Sequence, residues 1–150
     1  MSSGWKAALV AAATVAADQA VKAIVRTTIE RGDASDLVLG IRLVNVRNRG
    51  IAFGLLSDGG VLLVLFALAA LLALLIFFHR HRDRPLVWLP TGLLIGGAAG
   101  NLIDRTREGA VTDFIDLPAW PAFNLADVAI TFGVFALLYV LEGPPRHGRR

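Results

Sequence analysis

Leu62-Leu-Val-Leu-Phe-Ala-Leu-Ala-Ala-Leu-Leu-Ala-Leu-Leu-Ile-Phe-Phe78 contains no charged or polar side chain. A bilayer core of about 30 Å takes roughly 20 apolar residues of helix, so this run, begun at about residue 60, predicts a membrane span over 60–78. Apolar runs of similar length flank it at about 5–25, 86–103 and 123–142. Together they predict an all-α membrane protein of four transmembrane helices, a single domain over residues 1–150. Composition agrees: 55% of residues are hydrophobic and the mean hydropathy is +0.62, too apolar for a soluble chain of this length.

The net charge of +3 does not point to nucleic acid. The basic residues gather at the ends of apolar runs, as in His79-Arg-His-Arg-Asp-Arg84 and Arg146-His-Gly-Arg-Arg150, where they suit anionic membrane lipids as partners. The absence of cysteine excludes disulfides, thiolate metal sites and a cysteine nucleophile. His79, His81 and His147 lie in arginine-rich stretches that suit a solvated role, so no metal and no cofactor are expected. The first run could be read as a signal peptide cut near Ala16-Ala17, but its helical pattern continues through Asp18 and Lys22, which favours an uncleaved helix.

The segment between the first two runs is more than a linker. Ile41 to Arg49 is rich in β-branched and apolar residues and is followed by Gly50, Gly54 and the turn signal Ser57-Asp-Gly-Gly60, which predicts a small β-rich segment on the membrane surface. Thr106 to Ala122 holds Pro118 and Pro121 and cannot be one continuous helix. Four spans place both termini on the side of the 79–85 loop. Basic residues divide equally between the two sides, but their density in that loop favours cytoplasmic termini.

Ionisable groups at membrane depth are costly and ask for a reason. Asp18 and Lys22, four residues apart, share a helical face in the orientation that pairs well. Asn101-Leu-Ile-Asp104 at the end of the third run is echoed by Asn124-Leu-Ala-Asp127 at the start of the fourth. The second resembles a capping box at the positive end of a helix. Asp104, expected at a helix C-terminus where the dipole disfavours an anion, predicts neutralisation by Arg105 as an interfacial clamp. Val111-Thr-Asp-Phe-Ile-Asp116 brings a further carboxylate to the same membrane face, with Asp113 and Asp116 on opposite sides if the segment is extended. Two close carboxylates share a proton, and the ionised one can activate water while the protonated one polarises a peptide carbonyl. A proton pathway is the rival reading, but it needs polar residues through the bilayer, and here the acids gather at one face.

These pieces, in this order, resemble the lipoprotein signal peptidase (signal peptidase II) family over nearly the full chain. They are Asp18 with Lys22, Asn48-Arg-Gly-Ile-Ala-Phe-Gly54, Gly96-Gly-Ala-Ala-Gly-Asn-Leu-Ile-Asp-Arg105, Val111-Thr-Asp-Phe-Ile-Asp116, and Phe123-Asn-Leu-Ala-Asp-Val-Ala-Ile130. The resemblance implies an intramembrane aspartic endopeptidase that removes signal peptides from diacylglyceryl-modified prolipoproteins before the lipidated cysteine. It implies Asp113 and Asp127 as the catalytic pair and Asn48, Gly50, Ala52 and Phe53 as substrate-facing. Phe53, beside Gly50 and Gly54, reads equally as a mobile lid or as an aromatic anchor at the interface. Asn101, Arg105 and Asn124 are implied as supports, alongside Asp18, Lys22, Asp104 and Ala126. A monomer in a prokaryotic cytoplasmic (inner) membrane is expected, with the active site near the extracytoplasmic face.

Overall fold

The computed structural model describes residues 1–50 and 60–142. Ala52 and Phe53, and with them the expected lid, lie outside the described residues, as does the tail from 143 to 150.

Among the described residues four helices run in chain order: α1 (Ser3–Thr28), α2 (Gly60–His81), α3 (Trp88–Glu108) and α4 (Leu125–Glu142). Ser2 caps α1, its hydroxyl accepting the Trp5 N–H at 3.3 Å. Ala7, Asp18, Lys22 and Val25 form the buried stripe of α1, and their spacings of 11, 4 and 3 keep them on one face. α3 ends at Gly109, whose φ of 67° is the left-handed C-cap conformation that glycine adopts without a Cβ clash.

α3 is the central helix and packs against α1, α4 and α2. Its glycines make this possible. A Cβ at Gly92 would stand 2.8 Å from the Ala7 carbonyl and one at Gly96 2.8 Å from that of Ala11, both on α1. A Cβ at Gly97 would come within 2.5 Å of the Ala126 carbonyl on α4. Backbones therefore meet where side chains would have held them apart.

Among the described residues, three helical segments are long and apolar enough to cross a membrane: Ser3–Thr28, Val64–His81 and Leu125–Glu142. α3 does not qualify by that measure, which departs from the expected set of four. Thr91, Gly96, Gly97, Gly100, Asn101 and Asp104 are buried against its neighbours, and a helix sheltered by protein can carry polar residues that a lipid-facing helix cannot. α2 shows the opposite character, with Leu62, Leu65, Phe66, Leu68, Leu72, Leu75 and Ile76 all exposed.

The β-rich segment expected after α1 is half of a larger sheet. β1 (Ala34–Val38) and β2 (Ile41–Asn48) come from the first connection, and β3 (Val111–Leu117) and β4 (Trp120–Phe123) from the second. They form one antiparallel sheet in the order β1-β2-β3-β4. The prolines at 118 and 121 excluded a helix there without revealing strands; Pro118 sits in the two-residue turn between β3 and β4, and Pro121 on the edge strand. β2 and β3 pair as Leu43 with Ile115 and then Val46 with Asp113, so β2 carries one extra residue at a bulge. Cross-strand partners share a face, so Asn48, two residues past Val46, projects on the same side as Asp113. In an unbulged pairing Asn48 would fall on the opposite face.

Candidate active site

Asp113 on β3 and Asp127 in the first turn of α4 line one cleft of about 540 Å³, together with Asn48, Gly50, Asn101 and Arg105. Three asparagines hold the two carboxylates. Asn48 Nδ2 donates to Asp113 Oδ2 at 2.9 Å, and Asn124 Nδ2 donates to Asp113 Oδ1 at 2.7 Å. Asn101 Nδ2 donates to Asp127 Oδ1 at 2.8 Å.

The orientation of each amide is set by its other end. Asn48 Oδ1 accepts the Gly50 N–H at 3.0 Å, Asn124 Oδ1 accepts the Asp127 N–H at 3.0 Å, and Asn101 Oδ1 accepts from Lys22 Nζ at 3.0 Å. Each of these partners can only donate, so each amide nitrogen is turned toward an aspartate. The capping box read from Asn124 and Asp127 is formed in both directions, since Asp127 Oδ2 accepts the Asn124 N–H at 3.2 Å. Capping and site geometry use the same two residues.

Burial pushes the Asp113 carboxyl up to about 6, and the negative charge of Asp127 adds to the effect, against the opposing hydrogen bonds from Asn48 and Asn124. Asp127 stands at the positive end of α4 and accepts two N–H groups, an environment suited to an anion.

Beneath the cleft lies a fully buried ionic cluster. Lys22 is 0% exposed, and its ammonium meets Asp18 Oδ2 at 2.8 Å, Asp104 Oδ2 at 3.1 Å and Asn101 Oδ1 at 3.0 Å, three acceptors for three protons. Asp18 Oδ1 accepts the Ala126 N–H at 3.0 Å, which ties α1 to the start of α4. Ala126, itself buried, closes the contact with α3 at Gly97 and Gly100.

The clamp expected between Asp104 and Arg105 is not formed. α3 continues to Glu108, so these residues lie inside the helix, where consecutive side chains point about 100° apart. Asp104 turns toward α1, pairing with Lys22 and, at 3.5 Å, with Arg26, and accepting the Thr112 N–H of β3 at 3.1 Å. Arg105 turns into the cleft and donates to the Gly50 carbonyl at 3.3 Å. Asp116 points away from the cleft and pairs with Arg42, Nε to Oδ2 at 2.7 Å. Sequence reading missed Gln19, whose Nε2 shares its two N–H groups among Asp18 Oδ2, the Gly100 carbonyl and Asp104 Oδ1, all at 3.0–3.2 Å. A third polar residue beside Asp18 in an apolar run was the available signal. Among the described residues no three histidine, aspartate or glutamate side chains are grouped to hold a metal ion.

The family model described as Signal peptidase (SPase) II matches residues 10–142. The chain is 42% identical over 138 residues to a lipoprotein signal peptidase of Moorella thermoacetica, covering 91% of this chain and 92% of that one. It is 49% identical over 106 residues to the lipoprotein signal peptidase of Syntrophomonas wolfei, covering 69% and 71%. A bacterial membrane enzyme solved by the in meso method at 2.3 Å superposes with a TM-score of 0.87 at 31% identity, covering 96% of this chain and 93% of that one. A second, solved at 1.9 Å, gives 0.83 at 34%, covering 91% and 92%. With the family model matched over residues 10–142, relatives about 40% identical over most of the chain and the fold shared with solved membrane enzymes, the chain belongs to the signal peptidase II family of membrane proteases.

Proposed function

We propose that this protein is an aspartic endopeptidase that removes the signal peptide from diacylglyceryl-modified prolipoproteins, cleaving before the lipidated cysteine, with Asp113 and Asp127 activating water. The observation that carries the reading is the convergence of these two carboxylates on one cleft, joined through the single side chain of Asn124.

Asp113, whose carboxyl is raised to about 6, acts as the acid, and Asp127, in the first turn of α4, as the base. Asp127 takes a proton from a water between them as its oxygen attacks the scissile carbonyl, while Asp113 passes its proton to the carbonyl oxygen. The resulting gem-diol collapses as Asp127 delivers its proton to the leaving amine and Asp113 regains one from a hydroxyl. The carboxylates end as they began. Asn48, Asn101 and Asn124 position the pair, Arg105 and Gly50 border the substrate path, and Asp18, Lys22, Asp104 and Ala126 hold the helices under it. Ala52 and Phe53 belong to the same substrate-facing segment.

The cleft also suits a substrate anchored in lipid. It extends from the two acids past Trp120 and Phe123 to Thr131 and Phe132 on the outer side of α4, an apolar flank along which acyl chains can stay in the bilayer. α3 serves as the fourth span, its polar residues sheltered by α1 and α4. The protein works as a single-domain monomer with cytoplasmic termini, and its sheet and cleft lie at the extracytoplasmic face of a prokaryotic inner membrane.

The test is cleavage by purified protein of a prolipoprotein with and without diacylglycerol on its cysteine. Cleavage before the lipidated cysteine is expected with the modified substrate alone, and none from Asp113→Asn or Asp127→Asn with their helical content retained. Normal turnover by either variant would overturn the dyad; cutting elsewhere would overturn the substrate.

A further inference from the structure

Two hairpin turns lie side by side at the end of the sheet farthest from the ionic cluster. Leu39 and Gly40 join β1 to β2, and Pro118 and Ala119 join β3 to β4; a Cβ on Gly40 would stand 3.1 Å from Pro118. Leu39 and Gly40 both have positive φ, 53° and 78°, the turn conformation for which asparagine and glycine are the favoured residues. A leucine is locally disfavoured there, and it is 96% exposed. Val38 at 66% and Leu37 stand open beside it, and every residue of β1 is exposed. An apolar hairpin tip of this kind on an edge strand invites aggregation in water.

The surroundings identify what covers it. Trp120, the first residue after the neighbouring turn, is itself exposed and shares a cleft wall with Phe132, which lies two helical turns inside the apolar helix α4. Phe132, Phe135 and Tyr139 continue that exposed aromatic and apolar surface along α4. The turn end of the sheet is therefore continuous with the lipid-facing side of a membrane-crossing helix. Arg42, half exposed and paired with Asp116, stands just behind the tip, where a cation suits the headgroup level.

We infer that the β1–β2 hairpin tip, Leu37 to Leu39, inserts into the interfacial zone of the bilayer and, with Trp120, anchors the sheet to lipid. The sheet carries Asp113 and Asn48, so this anchor holds half of the proposed site at a set depth relative to a substrate held by its acyl chains. Lipid is the occupant, because the tip carries no recognition polarity of its own and continues a surface already facing lipid.

The natural absence of cysteine makes the test direct. Leu39→Cys, and separately Val38→Cys, is labelled with an environment-sensitive NBD fluorophore in vesicles of phosphatidylcholine and phosphatidylglycerol, with Asp33→Cys at the far end of the hairpin as reference. Blue-shifted emission at 38 and 39, quenched by lipids bearing a nitroxide on the upper acyl chain, with neither effect at 33, is expected. Water-like emission at both tip positions overturns the anchor. Blue-shifted emission that nitroxide lipids leave unquenched also overturns it, since the tip would then be covered by protein. The labelled variants are assayed for cleavage in parallel. Cleavage with a water-exposed tip would sink the anchor and leave the proposed activity standing.

Discussion

The amide of Asn124 joins the two carboxylates, its oxygen accepting the Asp127 N–H and its nitrogen donating to Asp113. Protonation at Asp113 is where residue-scale chemistry becomes measurable. Its carboxyl is raised from the ordinary value near 4 to about 6, so the folded protein binds this proton more tightly than the unfolded chain does. Stability therefore falls as pH rises from about 4 through about 6 and is level beyond, by on the order of 3 kcal/mol. Asp113→Asn removes the ionisation, and its melting temperature in detergent should gain on that of the native protein between pH 4 and pH 7. An equal difference at both pH values would show that the carboxyl is not raised. Asn48→Ala deletes a hydrogen bond that favours the ionised form. The alkaline limb of its kcat/KM profile should move to higher pH, and a shift to lower pH would contradict the assignment of the proton to Asp113. Asp116→Asn loses only a partly exposed pair with Arg42, worth about 0–1 kcal/mol, and should cleave within about twofold of the native rate.

Helix approach depends on what glycine lacks. Gly97→Ala would drive a methyl to 2.5 Å from a backbone carbonyl of α4, which cannot swing aside as a side chain can. A loss of about 1–3 kcal/mol is expected, read as a lower melting temperature, together with reduced cleavage because the start of α4 carries Asp127. Gly4→Ala, where a Cβ meets nothing within 4 Å, is the matched control and should not destabilise. Equal effects of the two would refute close packing of α3 on α4. Within the sheet, the bulge in β2 plays a comparable part, since it decides which face of the strand Asn48 occupies.

Across the whole molecule, the Lys22 cluster ties α1 to α3 and α4 and the sheet to α3. Asp18→Asn leaves Lys22 with Asp104 as its counter-ion, whereas Lys22→Met leaves Asp18 and Asp104 buried with only the more distant, partly exposed Arg26. The lysine change should cost more, about 3–5 kcal/mol, than the aspartate change. The Asp18→Ala, Lys22→Ala double variant should be less damaged than the two single losses summed. Thermal melts in detergent across the cycle would show this, and strict additivity would mean that the two charges do not pair. Cleavage by the native protein should persist in a metal chelator, because the proposed proton cycle runs between two carboxylates; activity lost to the chelator and restored by one metal would oppose it.

Amino-acid order alone was enough for the apolar runs, the pairing of Asp18 with Lys22 and the capping box at Asn124 and Asp127, because helix geometry sets which residues three or four apart become neighbours. It also narrowed the acids to one end of the bundle. Spacing by itself could not choose between Asp113 and Asp116, which only the family resemblance separated, since the choice depended on whether the segment was extended, and strand pairing is a long-range event. The strand at 111–117 escaped notice for the same reason, since its partner β2 is more than 60 residues away, and the strand at 120–123 forms only as a hairpin on that one. Asp104 was matched to its neighbour in sequence, although α3 runs on to Glu108 and turns it toward Lys22 on another helix. Periodicity governs contacts within an element, whereas contacts between elements depend on glycines that let backbones meet and on a bulge that shifts one strand by a residue. Those tertiary features brought two carboxylates from separate elements onto one cleft.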